Sequence, residues 1–85
     1  MSNWRLIRGL AVSESGFVFL PTTGETFTVN DEGRHVILAL QDGKTTGQIV
    51  TTMIEEFDAD AVAVQRDIED FMAQLRQYQL LIEEP

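Results

Sequence analysis

The sequence predicts a small α+β domain of winged helix-turn-helix type, a three-stranded antiparallel sheet followed by three helices. Three observations carry this. Phe17 to Val29 holds two β-prone runs around a Pro/Gly turn. Asn30, Thr45 and Asp60 each stand where a helix N-cap is needed. Between 31 and 79 the apolar residues recur at spacings of three and four, the mark of amphipathic helices.

Leu10 to Ser13 reads as a short strand, closed by the turn cluster Glu14-Ser15-Gly16. Phe17 to Leu20 is a second strand of high β-propensity. Pro21 ends it, and Gly24 supplies a positive φ for the turn. Thr26-Phe27-Thr28-Val29 alternates polar and apolar, so one face is buried. Asn30 caps the first helix, and Asp31 and Glu32 suit the positive end of its dipole. Gly33, Val36, Ile37 and Leu40 form its inner stripe, and Asp42-Gly43 stops it. Thr45 with Gln48 makes a capping box for a helix over 46–57, which buries Ile49, Val50, Met53, Ile54 and Phe57. Asp58-Ala59-Asp60 breaks that helix and caps a third over 61–79. Its stripe is Val64, Ile68, Phe71, Leu75 and Tyr78, with Met72 beside it. Leu80-Leu81-Ile82 is too apolar for a loose tail and docks as a short strand or wing.

At 85 residues the sequence fits one domain over 1–85, with its core in 10–82. A chain this short buries only roughly 60–65% of its unfolded surface, so a partner helps its stability. A hydrophobic content of 44% argues against disorder. No apolar run approaches the roughly 18 residues of a membrane span. Met1 to Arg5 is polar, unlike the core of a signal peptide. With no Cys there is no disulfide framework and no thiolate metal site, and the expected setting is the cytoplasm.

Formal net charge is −8. Residues 1–41 hold four acids and three bases, a net −1; residues 42–85 hold ten acids and three bases, a net −7. Affinity for nucleic acid comes mainly from Lys and Arg displacing counterions. The helices that would approach DNA are acidic here, and Arg66 and Arg76 are too few to reverse that. A plain solvated surface accounts for the same acids.

No chemical motif survives inspection. Gly43-Lys44-Thr45-Thr46 imitates the end of a phosphate loop, but Leu38 stands where the first Gly belongs and a helix precedes it. Asp58, Asp60 and Glu69 imitate calcium-loop positions, but Ala63 replaces the required Gly. Helix capping explains both sets. His35 is the single histidine, with Asp31 and Glu32 as helical neighbours, and offers no zinc site. Ser13 and Ser15 are turn formers, and Asp67, Glu69 and Asp70 lie on an acidic helix face with no sign of a desolvated cleft. The expectation is a protein that is not an enzyme, with no cofactor and no metal.

Two features point to binding instead. Phe17 and Phe19 face one way while Val18 and Leu20 face the other, so both faces of the middle strand are apolar. The second face needs a cover, either a flap made by Trp4, Leu6 and Ile7 or a homodimer mate. The run 26–29 is also expected at the sheet edge. There an extended peptide can add as a further strand, held by main-chain hydrogen bonds and selected by side-chain pockets. The bland alternative is a protected edge with no ligand.

The ordered set Pro21-x-x-Gly24-x-x-Phe27-x-Val29-Asn30-x-x-Gly33, Ile37-x-x-Leu40-x-Asp42-Gly43, then Thr46 with Gln48-Ile49-Val50, Phe57-Asp58, Asp67-Ile68-x-x-Phe71-Met72-x-x-Leu75 and Leu80-Leu81-Ile82 resembles the PqqD-like family. These are small peptide chaperones, also called precursor-peptide recognition elements. Gln79 departs from the pattern, because many relatives have Gly there. The resemblance implies a domain that binds the leader of a ribosomally made precursor peptide. It then delivers that peptide to a modifying enzyme, often a radical S-adenosylmethionine protein. The implied contacts are Thr26, Phe27, Thr28 and Val29 on the strand and Asp67, Asp70, Phe71 and Gln74 on the third helix. An acidic groove favours a ligand with Lys or Arg beside its apolar anchors. The competing readings are a winged-helix DNA-binding regulator, an acidic carrier protein and an acidic structural or dimeric protein. A carrier needs a Ser at a helix start, where this chain has Asn30, Thr45 and Asp60.

Overall fold

The computed structural model describes residues 3–84. In chain order the elements are β1 (Asn3–Leu6), β2 (Ala11–Val12), β3 (Phe17–Phe19), β4 (Thr26–Thr28), α1 (Asp31–Gln41), α2 (Thr46–Phe57), α3 (Ala61–Gln77) and β5 (Leu81–Glu84). β2, β3 and β4 form an antiparallel meander in that order, followed by the three helices, as the fold class requires. No helix among the described residues is long and apolar enough to cross a membrane.

The helix caps are where local chemistry puts them. The Asn30 side-chain oxygen accepts from the Gly33 N–H at 2.8 Å. The Thr45 hydroxyl accepts from Gln48 N–H at 3.2 Å, and the Gln48 side chain accepts from Thr45 N–H at 2.9 Å, closing the capping box. Asp60 Oδ2 accepts from Ala63 N–H at 3.1 Å, and Asp58 takes a left-handed conformation at the end of α2. The Asp pair therefore serves two helix ends.

α1 is tied to the meander by two side chains. Arg34 Nε donates to the Ser13 carbonyl at 3.0 Å, and Gln41 Nε2 donates to the Leu10 carbonyl at 2.9 Å. The inner faces of sheet and helices then meet in one core, including Val18, Ile37, Ile49, Leu75 and Leu80.

Three departures from the expected layout are informative. First, Trp4, Leu6 and Ile7 do not cover the second face of the sheet. Residues 3–6 pair with β5 in a separate antiparallel ladder, with Leu6 opposite Leu81, and Ile7 N–H extends it to the Leu80 carbonyl at 2.9 Å. Backbone pairing draws this segment to the C-terminal strand; Leu6 enters the core and Arg76 lies 5.1 Å over the Trp4 ring. Phe17 and Phe19 stay 54% and 43% exposed.

Second, α3 stops at Gln77, two residues early. Gln79 takes φ +61, Leu80 N–H donates to the Leu75 carbonyl and Gln79 N–H to the Arg76 carbonyl, both at 2.9 Å. This is a Schellman ending with Gln in the seat that glycine usually fills. A left-handed non-glycine residue costs about 1–2 kcal/mol, part of which glycine returns through its looser unfolded chain. Gln79→Gly is therefore expected to stabilise the fold by about 0.5–1 kcal/mol, seen as a higher urea midpoint at unchanged slope.

Third, Tyr78 is not a core residue, and Phe71 packs only at the margin of the core. The buried side of α3 is Val64, Ile68, Met72 and Leu75; Phe71 is half-buried and Tyr78 is 61% exposed. At about 100° per residue, these two aromatics sit roughly 55–75° round the helix from the centre of the buried stripe. Asp67 and Gln74 lie further round on that same side, and Asp70 furthest.

Candidate functional site: an open sheet edge beside the third helix

β4 is the terminal strand of the meander, so one side of it is unpaired within the sheet. Its ladder with β3 sets which groups face outward. Val29 N–H donates to the Gly16 carbonyl and Leu20 N–H to the Glu25 carbonyl, each at 2.8 Å. Antiparallel partners alternate between bonded and non-bonded pairs. Val18–Phe27 is then a bonded pair, while Phe17–Thr28 and Phe19–Thr26 are non-bonded ones. Of the four expected strand positions, Thr26 and Thr28 thus turn their N–H and C=O to the open edge, and Phe27 and Val29 turn their main-chain groups to β3.

The groove lies between this edge and α3. Phe27 faces inward and stacks on Tyr78 with ring centroids 5.7 Å apart at 16°. A cavity of about 290 Å³ opens there, lined by Phe27, Thr28, Val29, Phe71, Gln74 and Tyr78 among others. Phe71, Gln74 and Asn30 also line a second cavity of about 370 Å³, where α1, α2 and α3 converge. Its floor includes Val36, Met53, Phe57 and Ile68, and Glu32, Asp67 and Asp70 are its carboxylates. The three carboxylates are exposed, and neither cavity is lined by a Lys, Arg or His.

Seven of the eight expected contact residues line these two cavities, and Thr26 lies on the same strand edge. Sequence reasoning missed Tyr78, which it assigned to the core, and the α1–α2 wall made by Glu32, Met53 and Phe57. The seven-residue interval from Phe71 to Tyr78 was the available signal for Tyr78, because it returns to one helix flank. His35 is not held by its helical neighbours: Nδ1 lies 3.5 Å from Glu56 and its ring meets Phe57 edge-on at 5.2 Å. It braces α1 on α2.

Gly33 makes room for the Phe71 ring beside Val29 and Asn30. A Cβ there would stand 3.2 Å from the Phe71 ring, 3.2 Å from Val29 Cβ and 3.3 Å from Asn30 Oδ1. In Gly33→Ala, a helix-propensity gain of about 1 kcal/mol opposes an overpacking cost of about 1–3 kcal/mol. The expected outcome is a net stability change below about 2 kcal/mol with the Phe71 ring displaced. Phe71 aromatic NMR shifts beside a denaturation midpoint check it.

Residues 16–81 match the family described as Coenzyme PQQ synthesis protein D (PqqD). No curated protein matches the chain. The structure of TbiB1 in complex with the TbiA(beta) leader peptide superposes with a TM-score of 0.80 at 25% identity, over 91% of this chain and 93% of that one. Lasso peptide synthetase B1 complexed with the leader peptide gives 0.79 at 19% identity, over 94% and 98%, a likeness that speaks for the fold alone. The matched stretch runs from the Gly16 turn to the first residue of β5 and takes in β3, β4 with its open edge and all three helices, so the chain belongs to the PqqD family.

Proposed function

We propose that this protein is a non-catalytic peptide chaperone. It binds the leader of a ribosomally synthesised precursor peptide by strand addition to β4 and presents it to a modifying enzyme. The observation that carries the reading is the free edge of Thr26 and Thr28 beside the cavities under α3. The leader bound to TbiB1, a protein 25% identical to this one, supports it.

Each contact residue has a role in this reading. Thr26 and Thr28 supply main-chain donors and acceptors. Phe27, Val29 and Phe71 give the leader's inward side chains an apolar seat, and Gln74 offers an amide at its rim. Asp67 and Asp70 select a cationic neighbour. The modifying enzyme is of the radical S-adenosylmethionine type, as family membership suggests, and the encounter takes place in the cytoplasm. Reconstituting such an enzyme on its precursor with and without this protein tests that part; equal modification in both would refute it.

The main test is a backbone amide titration with the leader encoded by a neighbouring short open reading frame. Shifts at Thr26–Val29 and along the Asp67–Gln74 face are the expected result. Shifts confined to another surface would sink the strand-addition reading. Affinity is also expected to fall as salt is raised, because exposed carboxylates are screened beyond about 10 Å at 0.1 M salt. A leader that is itself acidic and binds equally at low and high salt would refute the role of Asp67 and Asp70.

A further inference from the structure

The outer face of the meander is apolar and uncovered among the described residues. Phe17 and Phe19 stand side by side on it, with Thr28 beside Phe17, Thr26 beside Phe19 and Ala11 on the far side of Phe19. In a chain of net charge −8, none of these five carries a charge. We propose that Phe17 and Phe19 form a second, outer half of the peptide site. They take two large apolar or aromatic side chains of the leader, spaced i and i+2. The proposal rests on strand addition at β4.

The register makes the argument. A strand added at the edge bonds to Thr26 and Thr28, whose main-chain groups face outward. The peptide residues opposite those two threonines then point to the outer face, in the same rows as Phe19 and Phe17. Two strand spacings, roughly 10 Å, separate the peptide from β3. Thr26 and Thr28 are short, so they leave a trough between peptide and phenylalanines. A phenylalanine ring spans about half of that gap, and a large peptide side chain spans the rest. The non-bonded pairing of Phe17 with Thr28 and Phe19 with Thr26 brings those side chains close and narrows the trough. Inward leader residues would meet Phe27, Phe71 and Tyr78; outward ones would meet Phe17 and Phe19. Five residues of this size cover well under the roughly 800 Å² per partner of a stable protein interface, which disfavours a second copy as the occupant.

The test compares wild type, Phe17→Ser/Phe19→Ser and Phe17→Leu/Phe19→Leu, with the neighbouring-frame leader as probe. Affinity is measured by calorimetry, amide shifts by NMR, and oligomeric state by sedimentation. The serine pair is expected to bind about tenfold more weakly, with the Thr26–Val29 shifts retained at saturation. The leucine pair, which keeps the apolar surface, is expected to bind within about threefold of wild type. Replacing the two outward leader residues by Ala should weaken wild type but add nothing in the serine pair. Undiminished affinity of the serine pair, with those shifts present, overturns the outer half and leaves strand addition intact. Absence of those shifts in wild type overturns both. A wild-type dimer that the serine pair dissolves assigns the face to a second copy and overturns the proposal.

Discussion

Replacing Thr28 with Pro is expected to weaken leader binding about 30-fold or more while the domain stays folded. The N–H of Thr28 faces the open edge, so its removal breaks no bond to β3. Proline is tolerated on edge strands for that reason. The incoming leader, however, loses a main-chain donor and meets the pyrrolidine ring. One lost hydrogen bond and that obstruction together are worth about 2 kcal/mol, or about 30-fold. Phe27→Pro is the internal contrast. Its N–H belongs to the bonded pair with Val18, so that substitution damages the sheet itself. Calorimetric affinity read beside a thermal melt separates the two. If Thr28→Pro binds like wild type and melts like wild type, the leader does not add at this edge.

Gly16→Ala is expected to destabilise the fold by about 3 kcal/mol. Gly16 sits at φ +89, where an alanine costs about 1–2 kcal/mol. Its new Cβ would also collide with the Val29 carbonyl. That carbonyl cannot simply retreat, because Val29 N–H is bonded to the Gly16 carbonyl at 2.8 Å. For a domain of this size, about 3 kcal/mol lowers Tm by roughly 12–24 °C. Since the same clamp sets the end of β4, leader affinity should fall with it. A melting temperature within a few degrees of wild type would show that the turn relaxes freely.

What was legible in the sequence was whatever depends on near neighbours. The three helix starts are side-chain-to-backbone bonds closed within three residues, so Asn30, Thr45 and Asp60 could be assigned from type and spacing alone. The inner stripe of α1 was legible too, because Gly33, Val36, Ile37 and Leu40 follow the helical period without ambiguity. That Thr26 to Val29 forms a strand with one buried face was readable from its alternation. The place of Tyr78 was not, since a stripe in sequence spans more of the helix than the core can cover. Which flank is left for a groove depends on where β4 arrives. The route of Trp4 and Leu6 was equally hidden, because their partner strand lies more than seventy residues away.

The sequence by itself determined the kind and order of the elements from β2 to α3 and the acidity of the second half. These follow from propensity, capping and composition, which act over a few residues. Only the tertiary structure decided that Thr26 and Thr28 face an open edge, that Phe71 and Tyr78 flank it, and that Phe17 and Phe19 remain outside. Those outcomes depend on ladder register and on the angle at which α3 meets the sheet. A one-residue change in register would exchange the two faces of β4. The pairing with Gly16, Val18 and Leu20 therefore gives the threonines their outward main chain and Phe27 its place in the groove.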